Sequence, residues 1–253
     1  MESRGLKGVI LAGGQGTRFR PLTYYFQKCM IPVGDEQKPV LEYIVRLFAH
    51  HGITDLVLLV GYKHQQIKNY FNDGSRFGVH IEYVLDDPKF LGSANALVNA
   101  YREGALTRDD DFVVYYGDIL SDFDLREMVT RHIQADAGAT LALSKGFKIR
   151  VGTAEIVDGL VSRFVEKPEL ELPVSVGMLV LSGSVLEELN RLHERDPKGS
   201  FDIMGDVIPY LIEKGIPVLP YISEAFWYDL GSLERYERFE TEALDRKLSH
   251  IKG

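Results

Sequence analysis

The sequence predicts a single α/β domain built on one mixed sheet, with a parallel core and antiparallel strands added by its second half. Three observations carry that expectation. Short apolar runs alternate with amphipathic helical stripes through roughly the first 120 residues, the pattern of strand–helix–strand crossovers. The second half carries shorter strand signals, two of them joined by the turn pair Asp158-Gly159. No repeat, low-complexity segment or linker rich in Pro, Gly or Ser separates the halves. With 253 residues, 45% of them hydrophobic, the chain can bury roughly three quarters of its unfolded surface and needs no disulfide or metal to hold a core.

The elements follow in order. Lys7–Ala12 is a short apolar strand that stops in a glycine cluster. Pro39 opens a helix with Leu41, Ile44, Val45 and Phe48 on one face; proline suits a first turn, where its missing N–H costs no hydrogen bond. Asp55–Gly61 is a continuous apolar run, as in a strand covered on both faces. Val79–Leu85 is the next strand, Ala94, Leu97, Val98 and Tyr101 the next helical stripe, and Phe112–Tyr116 a third buried strand. Leu141–Ser144, Thr153–Val157, Leu160–Glu166 and Pro173–Leu181 continue as strands. Asp158-Gly159 suits a type I′ hairpin turn, since both residues tolerate positive φ. Ser184 and Glu187 are spaced as a capping box for a helix carrying Leu186, Leu189 and Leu192. Ile203, Val207, Tyr210 and Leu211 mark another helix, and Leu233, Tyr236, Phe239, Ala243 and Leu244 a single last one.

Composition excludes several classes of function. Twenty-nine basic against 37 acidic side chains leave a net charge of −8, which argues against a nucleic-acid partner. A small polyanion remains possible where one pocket concentrates Arg, Lys and backbone N–H groups. Cys29 is the only cysteine, so an intrachain disulfide is impossible and a cysteine-based zinc site is not expected. The run Val9–Ala12 is too short for a signal peptide's core, and no apolar stretch approaches the length of a membrane span. The expectation is a soluble cytoplasmic protein with no membrane partner.

The most informative segment is Leu11-Ala12-Gly13-Gly14-Gln15-Gly16-Thr17-Arg18-Phe19-Arg20-Pro21-Leu22-Thr23. It follows the first strand, where open α/β sheets bind ligands. Its glycines leave backbone N–H groups open to phosphate oxygens, and Arg18 and Arg20 add cationic donors beside them. A dinucleotide fingerprint fails, because counting from Gly14 puts Phe19 at the third glycine. A Walker A loop also fails, since Gly16-Thr17-Arg18 is not Gly-Lys-Ser/Thr.

Residues 11–23 resemble the signature of the sugar-nucleotide pyrophosphorylases, the nucleotidyltransferases that make nucleoside-diphosphate sugars: L-A-G-G-x-G-T-R-x-x-P-x-T, followed shortly by P-K. Lys28 falls at the signature's lysine, while Gln27 replaces the usual proline. Met30-Ile31-Pro32-Val33 and the Pro39 helix start also match, and Asp35–Lys38 is slightly expanded. Tyr116-Gly117-Asp118 resembles the family's N-G-D, Phe164-Val165-Glu166-Lys167-Pro168 its F-x-E-K-P, and Trp227-Tyr228-Asp229-Leu230-Gly231-Ser232 its W-x-D-x-G-T. The four strings occur in the family's order along the whole chain.

The resemblance implies a Rossmann-like (GT-A-like) mixed sheet with helices on both faces, forming one nucleotidyltransferase domain over 1–253. Residues 1–120 would be its nucleotide-binding half and 121–253 its sugar-phosphate-binding half, with no β-helix domain. It implies transfer of a nucleotidyl group from a nucleoside triphosphate to a sugar 1-phosphate. Arg18, Lys28 and Asp118 would be catalytic, and Asp118 and Asp229 would hold Mg²⁺. Leu11, Ala12, Gly13, Gly14, Gly16, Thr17, Arg18, Asp87, Gly92 and Ser93 would bind the nucleotide. Gly152, Glu166, Lys167, Ser175 and Val176 would bind the sugar phosphate.

The family's base-reading position lies five residues before Gly92, at Asp87, with Asp86 adjacent. A carboxylate accepts only, which suits the two donors on guanine's edge. Members resembling mannose-1-phosphate guanylyltransferase carry an acid there, so GTP and a mannose-like sugar are favoured. Uridylyl, thymidylyl or cytidylyl transfer to glucose 1-phosphate or another sugar is the alternative. A catalytically silent relative that binds nucleotide or sugar phosphate is the alternative of another class, against which stand the retained Arg18, Lys28, Asp118 and Asp229.

Overall fold

A computed structural model describes residues 5–149, 151–169 and 171–251, apart from the side chains at 241, 243 and 245. Strand β1 (Gly5–Ala12) is followed by three single 3₁₀ turns, at Thr17–Phe19, Leu22–Tyr24 and Lys28–Met30. A short pair, β2 (Pro32–Val33) with β3 (Lys38–Pro39), leads into α1 (Val40–His50). Next come β4 (Asp55–Val60), α2 (His64–Phe71), β5 (His80–Leu85), α3 (Ser93–Arg102) and β6 (Asp110–Tyr116). The chain continues through β7 (Ile119–Ser121), α4 (Leu125–Gln134), β8 (Ala139–Ser144), β9 (Thr153–Val157), β10 (Leu160–Val165) and β11 (Val174–Ser182). After α5 (Val185–Arg195), a π-helical stretch at Ile203–Val207 runs into α6 (Ile208–Glu213). The described chain then forms β12 (Val218–Ile222), β13 (Trp227–Asp229), α7 (Leu233–Glu237), α8 (Thr241–Lys247) and a 3₁₀ turn at Ser249–Ile251.

Seven strands make the main sheet, in the order β12-β8-β11-β6-β1-β4-β5. Among the described residues β11 alone runs antiparallel to its neighbours in that sheet, and the other pairings are parallel. Alternation along β1 sends Ile10 into a core shared with Phe48, Phe71 and Met128, and Val9 into a second core shared with Leu97, Leu186 and Leu211. Helices therefore cover both faces, as expected of a sheet whose central strands, such as β4 and β6, are buried along almost their whole length. No described helix is long and apolar enough to cross a membrane.

The register positions the site. Ala12 lies opposite Val60, Leu11 opposite Tyr116, and Val60 opposite Leu85. Four parallel strands thus end together, and Gly13, Gly61, Asp86 and Gly117 emerge along one edge. Ligands bind in open α/β sheets beyond the carboxyl ends of the strands.

Several expectations need correction. Among the described residues the β9–β10 ribbon pairs only with itself and stays outside the main sheet, where β8 and β11 pair directly with each other. Its turn is as expected, with Asp158 and Gly159 at φ 52° and 79°. Pro39 is the N-cap of α1 rather than part of its first turn. Ser184 makes no capping bond; its hydroxyl meets that of Ser182 at 3.1 Å, while Glu187 turns to Arg108. The last helix is two, broken between Glu237 and Thr241 where Phe239 packs on the Tyr228 ring at 4.8 Å. The Ala243 side chain lies outside the described residues. Helices α2 and α4 were not expected; both carry short apolar stripes, Ile67 with Phe71 and Leu125 with Met128 and Val129.

Candidate active site

The glycine segment after β1 is shaped by hydrogen bonds to its own carbonyls. Gly16 takes φ 61°, and its carbonyl accepts from Phe19 N and Thr23 Oγ1, each at 2.9 Å. Buried Phe19 anchors that turn, which leaves Arg18 facing out. Gly13 meets a different demand: a Cβ there would lie 1.8 Å from the Asp86 carboxylate, so a larger residue would have to displace that side chain. A cleft of about 740 Å³ opens over this edge, within the size range of small-ligand sites. All ten residues expected to bind nucleotide lie on its walls: Leu11, Ala12, Gly13, Gly14, Gly16, Thr17, Arg18, Asp87, Gly92 and Ser93.

Two of those side chains are already engaged. Asp87 Oδ1 accepts from Lys89 N at 2.8 Å, closing a local turn. Ser93 donates to Asp202 Oδ2 at 2.6 Å and accepts from Ile203 N at 2.9 Å, so its hydroxyl joins the start of α3 to the π-helical stretch. Asp202 also accepts from Met204 N and Gly205 N. Asp86 differs: half-buried against Gly13 and Gly61, its carboxylate accepts no hydrogen bond among the described residues, and burial raises its pKa. Asp86 is therefore the acid that confronts the glycine segment, with Asp87 beside it.

Lys28 and Asp118 come together across the cleft as an ion pair. Lys28 stands on a 3₁₀ turn held by Gln27, which is 2% exposed. The Gln27 side chain donates to the Ala12 carbonyl at 2.7 Å and accepts from Cys29 N at 2.6 Å. Its backbone N–H donates to Gln66 Oε1 at 2.7 Å. A glutamine at the signature's proline position thus stiffens the turn with hydrogen bonds rather than a ring. Burial pushes the Cys29 thiol upward, and half-buried Tyr116 is pushed up to about 12, so both are neutral at neutral pH.

A second cavity of about 820 Å³ adjoins the first and shares Arg18, Tyr116 and Asp118 with it. Asp229, Ser175 and Val176 line this second cavity, together with Lys145, Phe147, Lys148, Trp227 and Arg235. Strand pairing brings Asp229 to Asp118: Asp229 lies opposite Ile119, and Leu230 N donates to the Asp118 carbonyl at 2.9 Å. Asp229 is ion-paired with Arg235. The described residues hold no cluster of three or more His, Cys, Asp or Glu suited to a metal. Two adjacent carboxylates on a wall open to phosphate ligands do fit Mg²⁺, which takes few protein oxygens and completes its shell with phosphate and water.

Gly152, Glu166 and Lys167 are on the walls of neither cavity. They sit on the exposed ribbon, where a Cβ on Gly152 would come within 2.3 Å of the Phe164 ring and 2.9 Å of Glu166 Oε2. A link to the second cavity exists: Ile149 N donates to the Pro168 carbonyl at 2.8 Å, joining the ribbon's exit to the loop carrying Lys145 and Lys148. Gln27 and Tyr116 lie in the signature strings, but sequence reasoning assigned neither a role in the site; Asp202 and Arg235 carry no motif, and the contacts that place them, with Ser93 and Asp229, form only in the fold.

Residues 7–246 match the family described as nucleotidyl transferase. The UTP–glucose-1-phosphate uridylyltransferase of Synechocystis is 32% identical over 97% of this chain, which spans 65% of that protein's length. The D-glycero-alpha-D-manno-heptose 1-phosphate guanylyltransferase of Aneurinibacillus thermoaerophilus is 32% identical over 94% of this chain and 98% of its own. A crystal structure from Bacillus anthracis, provisionally named a glucose-1-phosphate thymidylyltransferase and holding sucrose, superposes with a TM-score of 0.74 at 26% identity, over 96% of each chain.

Proposed function

Because the chain belongs to the nucleotidyl transferase family, we propose that it is a sugar-1-phosphate nucleotidyltransferase. The observation that carries this reading is the pair of adjoining cavities with Arg18, Tyr116 and Asp118 in their common wall. Such a site suits two substrates whose reacting phosphates must meet. An oxygen of the sugar 1-phosphate attacks the α-phosphorus of a nucleoside triphosphate. The bond from that phosphorus to its bridging oxygen breaks, and the electron pair leaves with pyrophosphate. Little covalent chemistry falls to the protein, so catalysis is positioning and charge neutralisation.

The glycine segment offers backbone N–H groups to the triphosphate, and Arg18 holds the departing pyrophosphate. Lys28 supplies positive charge at the α-phosphate. Asp118 and Asp229 would hold Mg²⁺, which when bound neutralises phosphate charge as a Lewis acid. Ser175 and Val176 border the sugar phosphate, and Gly152, Glu166 and Lys167 reach it from the ribbon. In this division 1–120 is the nucleotide-binding half and 121–253 the sugar-phosphate-binding half.

GTP is the favoured nucleotide. Adjacent carboxylates at Asp86 and Asp87 support it, since guanine presents two donors to an acceptor-only group. The heptose-phosphate guanylyltransferase from Aneurinibacillus supports a manno-configured sugar, whereas the Synechocystis relative is named for UTP and glucose. The deciding experiment measures pyrophosphate release with Mg²⁺ for GTP, UTP, CTP, dTTP and ATP against mannose, glucose, N-acetylated and heptose 1-phosphates. Release that needs both substrates, fastest with GTP and a manno-configured sugar, is expected. Faster turnover with UTP or dTTP overturns the base assignment. Nucleotide binding without turnover across the whole panel favours the silent relative.

A further inference from the structure

Each carboxylate proposed for the divalent cation is already paired with a side-chain cation, Asp118 with Lys28 and Asp229 with Arg235. Lys28 belongs to the signature that marks the family; Arg235 does not. Arg235 lies in α7, and its backbone is held on both sides. Its N–H donates to Ser232 Oγ at 3.4 Å, and its carbonyl accepts from the Tyr228 hydroxyl at 2.8 Å. On this fixed base Arg235 lines the second cavity, in company with Arg18, Asp118 and Ser175, and its guanidinium pairs with Asp229.

Both partners are about one third exposed, at 34% and 32%, and solvent screens such a pair enough for a stronger cation to displace it. A divalent ion brings twice the charge and binds carboxylate oxygen directly. The displaced guanidinium then faces a cavity suited to a phosphorylated sugar, and its planar fork matches phosphate in bidentate fashion.

We infer that Arg235 is a phosphate-binding residue held in reserve on Asp229, exchanged for the divalent cation and thereby turned toward the sugar 1-phosphate. Identifying that anion rests on the nucleotidyl-transfer reading; the competition for Asp229 does not. By linkage, metal and sugar phosphate then raise each other's affinity. Arg235 thus opposes metal binding alone and favours phosphate binding once metal is present.

The test measures two affinities in wild type, Arg235→Ala and Arg235→Lys. Mn²⁺ alone, followed by electron paramagnetic resonance of the free ion, is expected to bind Arg235→Ala about three- to five-fold more tightly than wild type, because its competitor is gone. Mannose 1-phosphate, measured by calorimetry in saturating Mg²⁺, is expected to bind Arg235→Ala about ten-fold more weakly, with Arg235→Lys between the two. Opposite signs separate this role from a general loss of structure, which weakens both. Mn²⁺ binding that is unchanged or weaker in Arg235→Ala overturns the inference, as does undiminished sugar-phosphate affinity. Wild type that binds none of the sugar 1-phosphates overturns it together with the proposed function. Pyrophosphate release by a variant with intact affinities overturns the role of Arg235 alone. Thermal melting checks folding, and Arg235→Gln repeats both measurements if Arg235→Ala is unfolded.

Discussion

The edge of the parallel sheet and the β9–β10 ribbon both carry residues expected in the site, yet they hold them in opposite ways. At the sheet edge, four strands end in register and their buried side chains leave the following loops little freedom. On the ribbon, Ile156, Leu160, Val161 and Phe164 are all exposed, and among the described residues the two strands pair only with each other. A lone two-stranded hairpin gains little stability in water. The lesson is that the glycine segment is built onto the core, whereas Glu166 and Lys167 depend on the ribbon's few anchors, such as the hydrogen bond from Ile149 to Pro168.

The strongest challenge to that contrast is Asp118→Asn. With the carboxylate at the shared wall of both cavities gone, turnover should fall on the order of 10³-fold with the melting temperature nearly unchanged. Retention of most activity would remove Asp118 from the reaction centre. A stability pair tests the core against the ribbon directly. Phe48, 0% exposed, and Phe164, 63% exposed, should differ widely on truncation: about 3–5 kcal/mol lost for Phe48→Ala, and within about 0.5 kcal/mol for Phe164→Ala. Equal losses in denaturant titrations would mean that the ribbon has a packed partner.

Gln27→Ala should lower kcat about ten-fold with KM for the triphosphate little changed, since it frees the turn beneath Lys28 and leaves the Ala12 carbonyl short of a donor. Gln27→Pro should recover part of kcat by restraining the same turn. A rise in KM without loss of kcat would place Gln27 in binding rather than positioning. The smallest effect separates two neighbours. Asp86→Asn should raise KM for GTP several-fold more than Asp87→Asn, because Asp87 already accepts from Lys89 N. The reverse order in steady-state kinetics would return the base-reading role to Asp87.

Much of the fold was legible because its signals are local. The apolar runs at β1, β4 and β6 and the Asp158-Gly159 turn are read from neighbouring residues, and each lies where expected. The failures share a cause as well. Ser184 has the spacing of a cap but finds Ser182 instead, and the final stripe of apolar residues gave no sign of the break that Phe239 makes on Tyr228. Tertiary packing overrode local preference at both places.

What the sequence determined by itself is the chemistry on offer: a glycine segment with Arg18, a lysine at position 28, carboxylates at 118 and 229, and an alternating α/β frame to carry them. Residue type and short spacing suffice for that, because backbone conformation and amphipathic periodicity repeat over a few residues. Only the tertiary structure decided which groups meet. Lys28 reaches Asp118 across 90 positions of sequence, Gln27 ties its turn to Ala12, and Asp86 rather than Asp87 confronts Gly13. Those contacts depend on strand register and on the direction in which each loop leaves the sheet, and the packing of the whole core sets both.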